Sequence, residues 1–347
     1  MSENPFNITF GKEPNSIISR SGELEDVYSS FSSESPNSQI YILTGIRGSG
    51  KTVAMTTIVD FYKKSDKWIC VELNPESDML EQLASKLIDE GNLRRMFIKS
   101  EFNFSFQGIG FSLKGDVPII NVSSLLKREF EYLKKKGIKI LISVDEAVSN
   151  GPMKIFAHEF QTLLREKFDV FLLMTGLYQN ISSLEKNKSL TFLYRAPKIK
   201  LSSLNMVSIF NSYKRVFSLD EGEAMELAKF TKGYAFAYQL LGNILYESKD
   251  KKITEAVISE FDELIYDRAY SIIYSELSNA EKEIIKAAIV DPSNEHVMKE
   301  AHISSPQLSI YKKRLCSKGV IDSNKEAVVF SLPRFKEIVT LIISFES

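Results

Sequence analysis

Cysteine is nearly missing from this sequence, which holds two, Cys70 and Cys316, in 347 residues. Their separation gives neither metal-ligand spacing nor a disulfide framework, which excludes zinc-ribbon and disulfide-stapled scaffolds. Histidine is almost as scarce, with three, and the metal-like pair His158-Glu159 lacks the second histidine of H-E-x-x-H, so no structural metal is expected. No uncharged apolar run reaches the roughly 18 residues that would span a bilayer. The opening stretch MSENPFNITFGKEPNS lacks the basic-then-apolar order of a secretory signal. A cytoplasmic protein without membrane contact is the expectation. Charge of one sign is also lacking: the formal net charge is -1, so contact with nucleic acid would need a local patch. What is there, 44% hydrophobic and 26% charged residues, is the make-up of a globular chain, long enough for two or three domains.

The stretch YILTGIRGSGKTVAMTTI, 41–58, passes from an apolar β-rich run through three glycines into a helix-forming segment. Gly45, Gly50, Lys51 and Thr52 fit G-x-x-x-x-G-K-[ST], and the strand-then-helix context is the one in which that spacing binds phosphate. Gly45, Gly48, Ser49 and Gly50 would let backbone N–H groups curl around an anion, and the helix would present its positive dipole end. Lys51 would bridge the β- and γ-phosphates of ATP, and the Thr52 hydroxyl would complete a magnesium shell.

Strand and helix patterns then alternate: strands at 39–44, 67–73, 138–144 and 169–175, with helices at 51–63, 78–89, 123–136 and 153–166 between them, which implies a parallel sheet covered on both faces. The strand in KILISVDEA, 139–147, delivers Asp145 as a second magnesium ligand and Glu146 as a general base for the attacking water. VFLLMTGL, 170–177, ends in Thr175, placed on a neighbouring strand to bond the lytic water or the γ-phosphate; Asn180 is a second candidate, and ordinary turn chemistry remains open for both. In LTFLYRAPKIKLSSL, 190–204, Arg195 is either an arginine finger offered to a second copy of the chain or a surface salt-bridge partner. Phe102, Phe104 and Phe106, then Gly108 and Gly110, then Phe111 and Leu113 read as an inserted β-hairpin, 101–115. Lys134 to Lys136 end a helix, where cations suit the dipole.

Beyond residue 200 helical periodicity takes over, at 205–217, 221–231, 234–248 and 254–275. From 278 onward helices at 279–290, 295–302 and 306–318 are followed by short strands at 319–322 and 327–331, the pattern of a winged helix. Leu308, Tyr311 and Leu315 form an inward face of the third helix, leaving Lys312, Lys313, Arg314 and Lys318 as candidate DNA contacts. Nearby Glu276, Glu281, Glu283, Glu295 and Glu300 roughly cancel that charge, so DNA binding and protein docking both remain open.

GIRGSGKT, ILISVDEA, LLMTGL, LYRAPKIKLSSL, TKGYAFAYQLLG and the closing winged helix, in this order, resemble a bacterial group of AAA+ or STAND-type ATPases related to the predominantly archaeal ATPase domain. More distantly they are similar to origin-recognition-type initiator ATPases. The resemblance covers nearly the whole chain and includes SRSGELEDVY, 19–28, similar to the segment that runs beside adenine. It implies an α/β fold with an AAA+-like parallel-sheet domain, a helical lid and a C-terminal winged-helix domain. The expected division is an N-terminal arm at 1–38, a P-loop ATPase domain at 39–200, a lid at 201–275 and a winged helix at 276–347. Initiator-type members carry a lid arginine that senses the γ-phosphate, whereas 233–247 holds none; STAND-type members have Gly-x-Pro where this chain reads Gly233-Tyr234-Ala235. The function this implies is a magnesium-dependent ATPase switch whose nucleotide state acts on double-stranded DNA or a protein partner, within an oligomer formed across Arg195. The alternative is an ATP latch with little turnover.

Overall fold

The computed structural model describes residues 3–8, 15–89, 122–186 and 190–346; the hairpin expected at 101–115 lies outside them. The backbone gathers into two compact units: a sheet unit, Gly22–Thr44 with Lys51–Lys200, and a helical unit, Met1–Ser21 with Gly45–Gly50 and Leu201–Ser347.

The sheet unit begins with α1 (Ser21–Ser32), β1 (Ile40–Thr44), α2 (Lys51–Lys63), β2 (Trp68–Glu72) and α3 (Met79–Asp89). It continues with α4 (Val122–Lys135), β3 (Lys139–Val144), α5 (Gly151–Arg165), β4 (Val170–Gly176), α6 (Tyr178–Glu185), α7 (Thr191–Tyr194) and β5 (Lys198–Lys200). All pairings are parallel, in the order β2-β3-β4-β1-β5. Side chains alternate between faces along each strand. Ile40, Ile42, Ile140, Ile142, Val144, Val170, Leu172 and Met174 bury against α3, α4 and α5. On the other face Phe171 meets Phe31 of α1 and Trp68, and Trp68 meets Tyr62 of α2. Both faces are thus covered, as apolar parallel strands require.

Order matters for the chemistry. Because β4 lies between β1 and β3, the end of β4 is adjacent to the ends of both the strand that leads into the glycine loop and the strand that carries Asp145. Register pairs Leu43 with Thr175, and Val144 with Met174.

The helical unit contains α8 (Met206–Phe217), α9 (Glu221–Phe230), α10 (Ala235–Glu247) and α11 (Glu255–Ile265). Three of them start at a capping side chain, Asn205 for α8, Asp220 for α9 and Thr254 for α11, while α10 follows Tyr234 without one. The helix expected at 254–275 runs without interruption from Glu255 to Ser275, with a π-helical turn, Tyr266–Tyr270, between α11 and α12 (Ser271–Ser275); both Ala269 and Tyr270 of that wider turn are buried. The ring of Phe6 packs where a Cβ on Gly242 of α10 would stand, 2.5 Å from its Cγ. Phe6 therefore belongs to the core of this unit.

Further on lie α13 (Asn279–Val290), α14 (Asn294–Glu300), α15 (Ser305–Ser317) and α16 (Phe335–Glu346). The short strands expected at 319–322 and 327–331 reduce to isolated antiparallel bridges, Ile321 with Phe330 and Ser293 with Ala327. Two backbone hydrogen bonds still join the two segments, Asp322 N–H to the Val329 carbonyl at 2.8 Å and Ser331 N–H to the Val320 carbonyl at 3.1 Å, while Val328 N–H donates to the Pro292 carbonyl and the Asn324 carboxamide takes the N–H groups of Glu326 and Ala327. Helix α16 had no sequence expectation. Among the described residues no helix is long and apolar enough to cross a membrane.

Candidate functional site

In the sheet unit the carboxyl end of β3 makes a sharp turn. Glu146 has φ 51, a left-handed conformation that costs a non-glycine residue about 1 kcal/mol. Its backbone N–H is held by Asp145 Oδ1 at 3.1 Å and by Thr175 Oγ1 at 3.0 Å. Ala147 N–H donates to the Thr175 carbonyl at 2.8 Å. Thr175, fully buried, donates its hydroxyl hydrogen to Asp145 Oδ1, and the Thr52 hydroxyl donates to Asp145 Oδ2 at 2.8 Å. One carboxylate is thus shared by hydroxyls from α2 and β4, while the Glu146 side chain is exposed beyond it. Lys51 is buried at the start of α2.

These residues suit a magnesium ion, which takes oxygen ligands and keeps several waters: Thr52 Oγ1 and Asp145 Oδ2 already converge at a single hydrogen-bond distance. Among the described residues no group of three or more histidine, cysteine or acidic side chains could hold a metal without such help.

In the helical unit the loop Gly45–Gly50 has two residues with positive φ, Gly48 at 66 and Gly50 at 87, the backbone reversals that form an anion-binding nest. Ser49 is buried and its hydroxyl has no hydrogen-bond partner among the described residues, an orphan that an incoming phosphate oxygen would satisfy. Around the outside, Arg20 Nη2 donates to the Ser49 carbonyl at 3.0 Å, the Tyr234 hydroxyl to the Arg47 carbonyl at 2.9 Å, and Phe236 N–H to the Gly48 carbonyl at 3.0 Å. Arg47 pairs with Glu276 at 3.1 Å. Sequence reasoning passed over Arg20, Arg47, Tyr234 and Phe236 as partners of the loop.

The remaining candidates are more scattered. Arg195 caps the C-terminus of α7 and is exposed; Asn180 lies in α6. Of the four basic residues of α15 and its C-cap, two are engaged internally. Lys312 donates to Asn294 Oδ1 and to the Ala327 carbonyl, and burial lowers its pKa. Lys318 donates to the Glu276 carbonyl and to Glu281. Lys313, Arg314 and Ile310 are exposed.

The chain has the α/β fold seen in solved AAA+ P-loop ATPases, those of the origin-recognition type among them. Among solved structures it is similar to the Walker-type ATPase paby2304 of Pyrococcus abyssi, at TM-score 0.66 and 15% identity over 96% of this chain and 99% of that one. It is also similar to the Aeropyrum pernix ORC2 protein in its ADPNP-ADP complexes, at TM-score 0.60 and 14% identity over 97% of each, and to CDC6P of Pyrobaculum aerophilum, at TM-score 0.50 and 15% identity over 97% of each. No family model matches the chain, and no curated protein matches it.

Proposed function

We propose that this protein is a magnesium-dependent ATPase switch: it binds ATP at the Gly45–Thr52 motif, hydrolyses it slowly, and transmits the nucleotide state to its C-terminal winged-helix module. The observation that carries this reading is the Asp145 carboxylate, shared by the Thr52 and Thr175 hydroxyls. Thr52 and Asp145 would hold the ion, whose positive charge would offset the negative charge of the β- and γ-phosphates. Gly48, Ser49 and Gly50 cradle the anion and Lys51 supplies a point charge. Glu146, immediately after Asp145 and exposed, accepts a proton from the attacking water. Thr175 holds the turn that aims Glu146. Arg195, exposed on its own helix end, is offered to the phosphates bound by a neighbouring copy.

Steady-state ATP hydrolysis by wild type and Glu146→Gln tests this. The variant should keep ATP binding and lose turnover by about 100-fold or more. Equal turnover would leave ATP as a structural latch.

A second reading concerns the output. Because Lys312 and Lys318 are consumed internally, the outer face of α15 offers only Lys313 and Arg314 beside Ile310, a small charge for a phosphate clamp and a fitting one for a protein surface. Lys313→Ala should flatten the salt dependence of DNA binding by about one unit of slope if DNA is the partner. No DNA binding near 50 mM salt would favour a protein partner.

A further inference from the structure

Three consecutive carbonyls of the phosphate loop are each taken by a donor from outside the loop: Arg47 O by the Tyr234 hydroxyl, Gly48 O by Phe236 N–H and Ser49 O by Arg20. In a trans peptide the C=O and the following N–H point in opposite directions. Fixing the carbonyls of 47 and 49 outward therefore turns the Gly48 and Gly50 N–H groups to the opposite side, while Ser49 N–H closes a turn onto the Ile46 carbonyl at 3.2 Å. Gly48 shows how close the fit is: a Cβ there would run into the Tyr234 oxygen and stand 2.9 Å from Phe236 Cβ. Tyr234 is buried, and that burial drives its pKa far above the ordinary phenol value against a smaller opposing influence of Arg47. The hydroxyl is a donor at every working pH.

We propose that Tyr234, with Arg20 and the Phe236 backbone, is a positioning residue that holds the phosphate loop in its anion-binding shape, so that the helical lid senses nucleotide through the loop's carbonyls in the absence of an arginine in 233–247. This rests on the ATP reading above and adds what sets its affinity. Tyr234 grips the loop and not the terminal phosphate. Its loss therefore weakens ATP and ADP alike, and raises KM while leaving kcat unchanged, as the removal of uniform binding does.

The test is calorimetric binding of ATP and of ADP, each with magnesium, to wild type, Tyr234→Phe and the control Tyr213→Phe. The control deletes an equally buried hydroxyl, which donates to the Tyr238 carbonyl at 2.7 Å, away from the loop. Tyr234→Phe should weaken both nucleotides about fivefold, the worth of one hydrogen bond, and shrink the rise in melting temperature that ATP produces. Tyr213→Phe should lower the melting temperature of the nucleotide-free protein and leave both affinities alone. Should Tyr234→Phe fail to fold, Arg20→Gln carries the same expectation. Unchanged affinities, or a loss confined to ATP, overturn the positioning role while the ATPase reading stands. A wild type that binds neither nucleotide overturns both.

Discussion

Glu129 sits on the buried face of α4 with Leu125, Leu126, Phe130 and Leu133, is fully buried, and has no hydrogen-bond partner at either carboxyl oxygen among the described residues. Burial pushes its pKa from 4.5 to about 9, because the charged form has nothing to replace its water. The folded state thus keeps a proton that the unfolded chain releases above about pH 4.5. Stability is full below that value, and falls by about 1.4 kcal/mol per pH unit until the folded group itself titrates near 9. At about pH 7.5 the cost is about 4 kcal/mol, a large share of the roughly 5–15 kcal/mol that holds a domain together. Glu129→Gln copies the shape and polarity of the neutral acid without a proton to lose, so it should be more stable than wild type by about that amount at about pH 7.5 and equal to it near pH 4.5. Urea unfolding followed by fluorescence reports this directly, since the sole tryptophan, Trp68, lies in β2 of the same unit. A stability difference that does not change between about pH 5 and 8, or a Gln variant weaker than wild type at about pH 7.5, would refute the reasoning.

Three further outcomes are expected. Thr175→Val keeps the shape but loses the hydroxyl that holds Asp145 and the Glu146 N–H; ATP turnover should fall about tenfold or more with binding nearly unchanged, read by steady-state kinetics beside calorimetry. Gly48→Ala puts a side chain at φ 66 and into Tyr234, and should cost more than about tenfold in ATP affinity, measured by titration. Arg334→Gln breaks the partly buried pair with Asp262, in which Nε donates to Oδ1 at 3.0 Å and Nη2 to Oδ2 at 2.6 Å, and should destabilise the helical unit by about 2–3 kcal/mol in thermal or chemical unfolding.

The strands and the loop were legible because their signals are local. An apolar run, glycines at the right spacing and a helix beginning at Lys51 need only a dozen residues to be read. The meeting of Thr175 with Asp145 was only half legible: each residue ends a buried strand, but that β4 lies between β1 and β3 is a matter of long-range pairing that no local pattern states. The partners of the loop left no trace, since a carbonyl acceptor belongs to every residue and a tyrosine beside a helix start looks like core. On α15, periodicity correctly faced Leu308 and Leu315 inward. It could not tell that the long arms of Lys312 and Lys318 fold back onto the module's own carbonyls and acids, because spacing sets the direction of a Cβ and not the reach of an ammonium group.

The ring of Phe6 lying over Gly242 binds two distant positions into one evolutionary unit. Any side chain at 242 would have to enter the space the ring fills, so descendants of this sequence can enlarge position 242 only where position 6 has first shrunk. The two should vary as a pair, large opposite small, and a chimera joining the segment around position 6 of one relative to the helical unit of another should fold only when that pairing is respected.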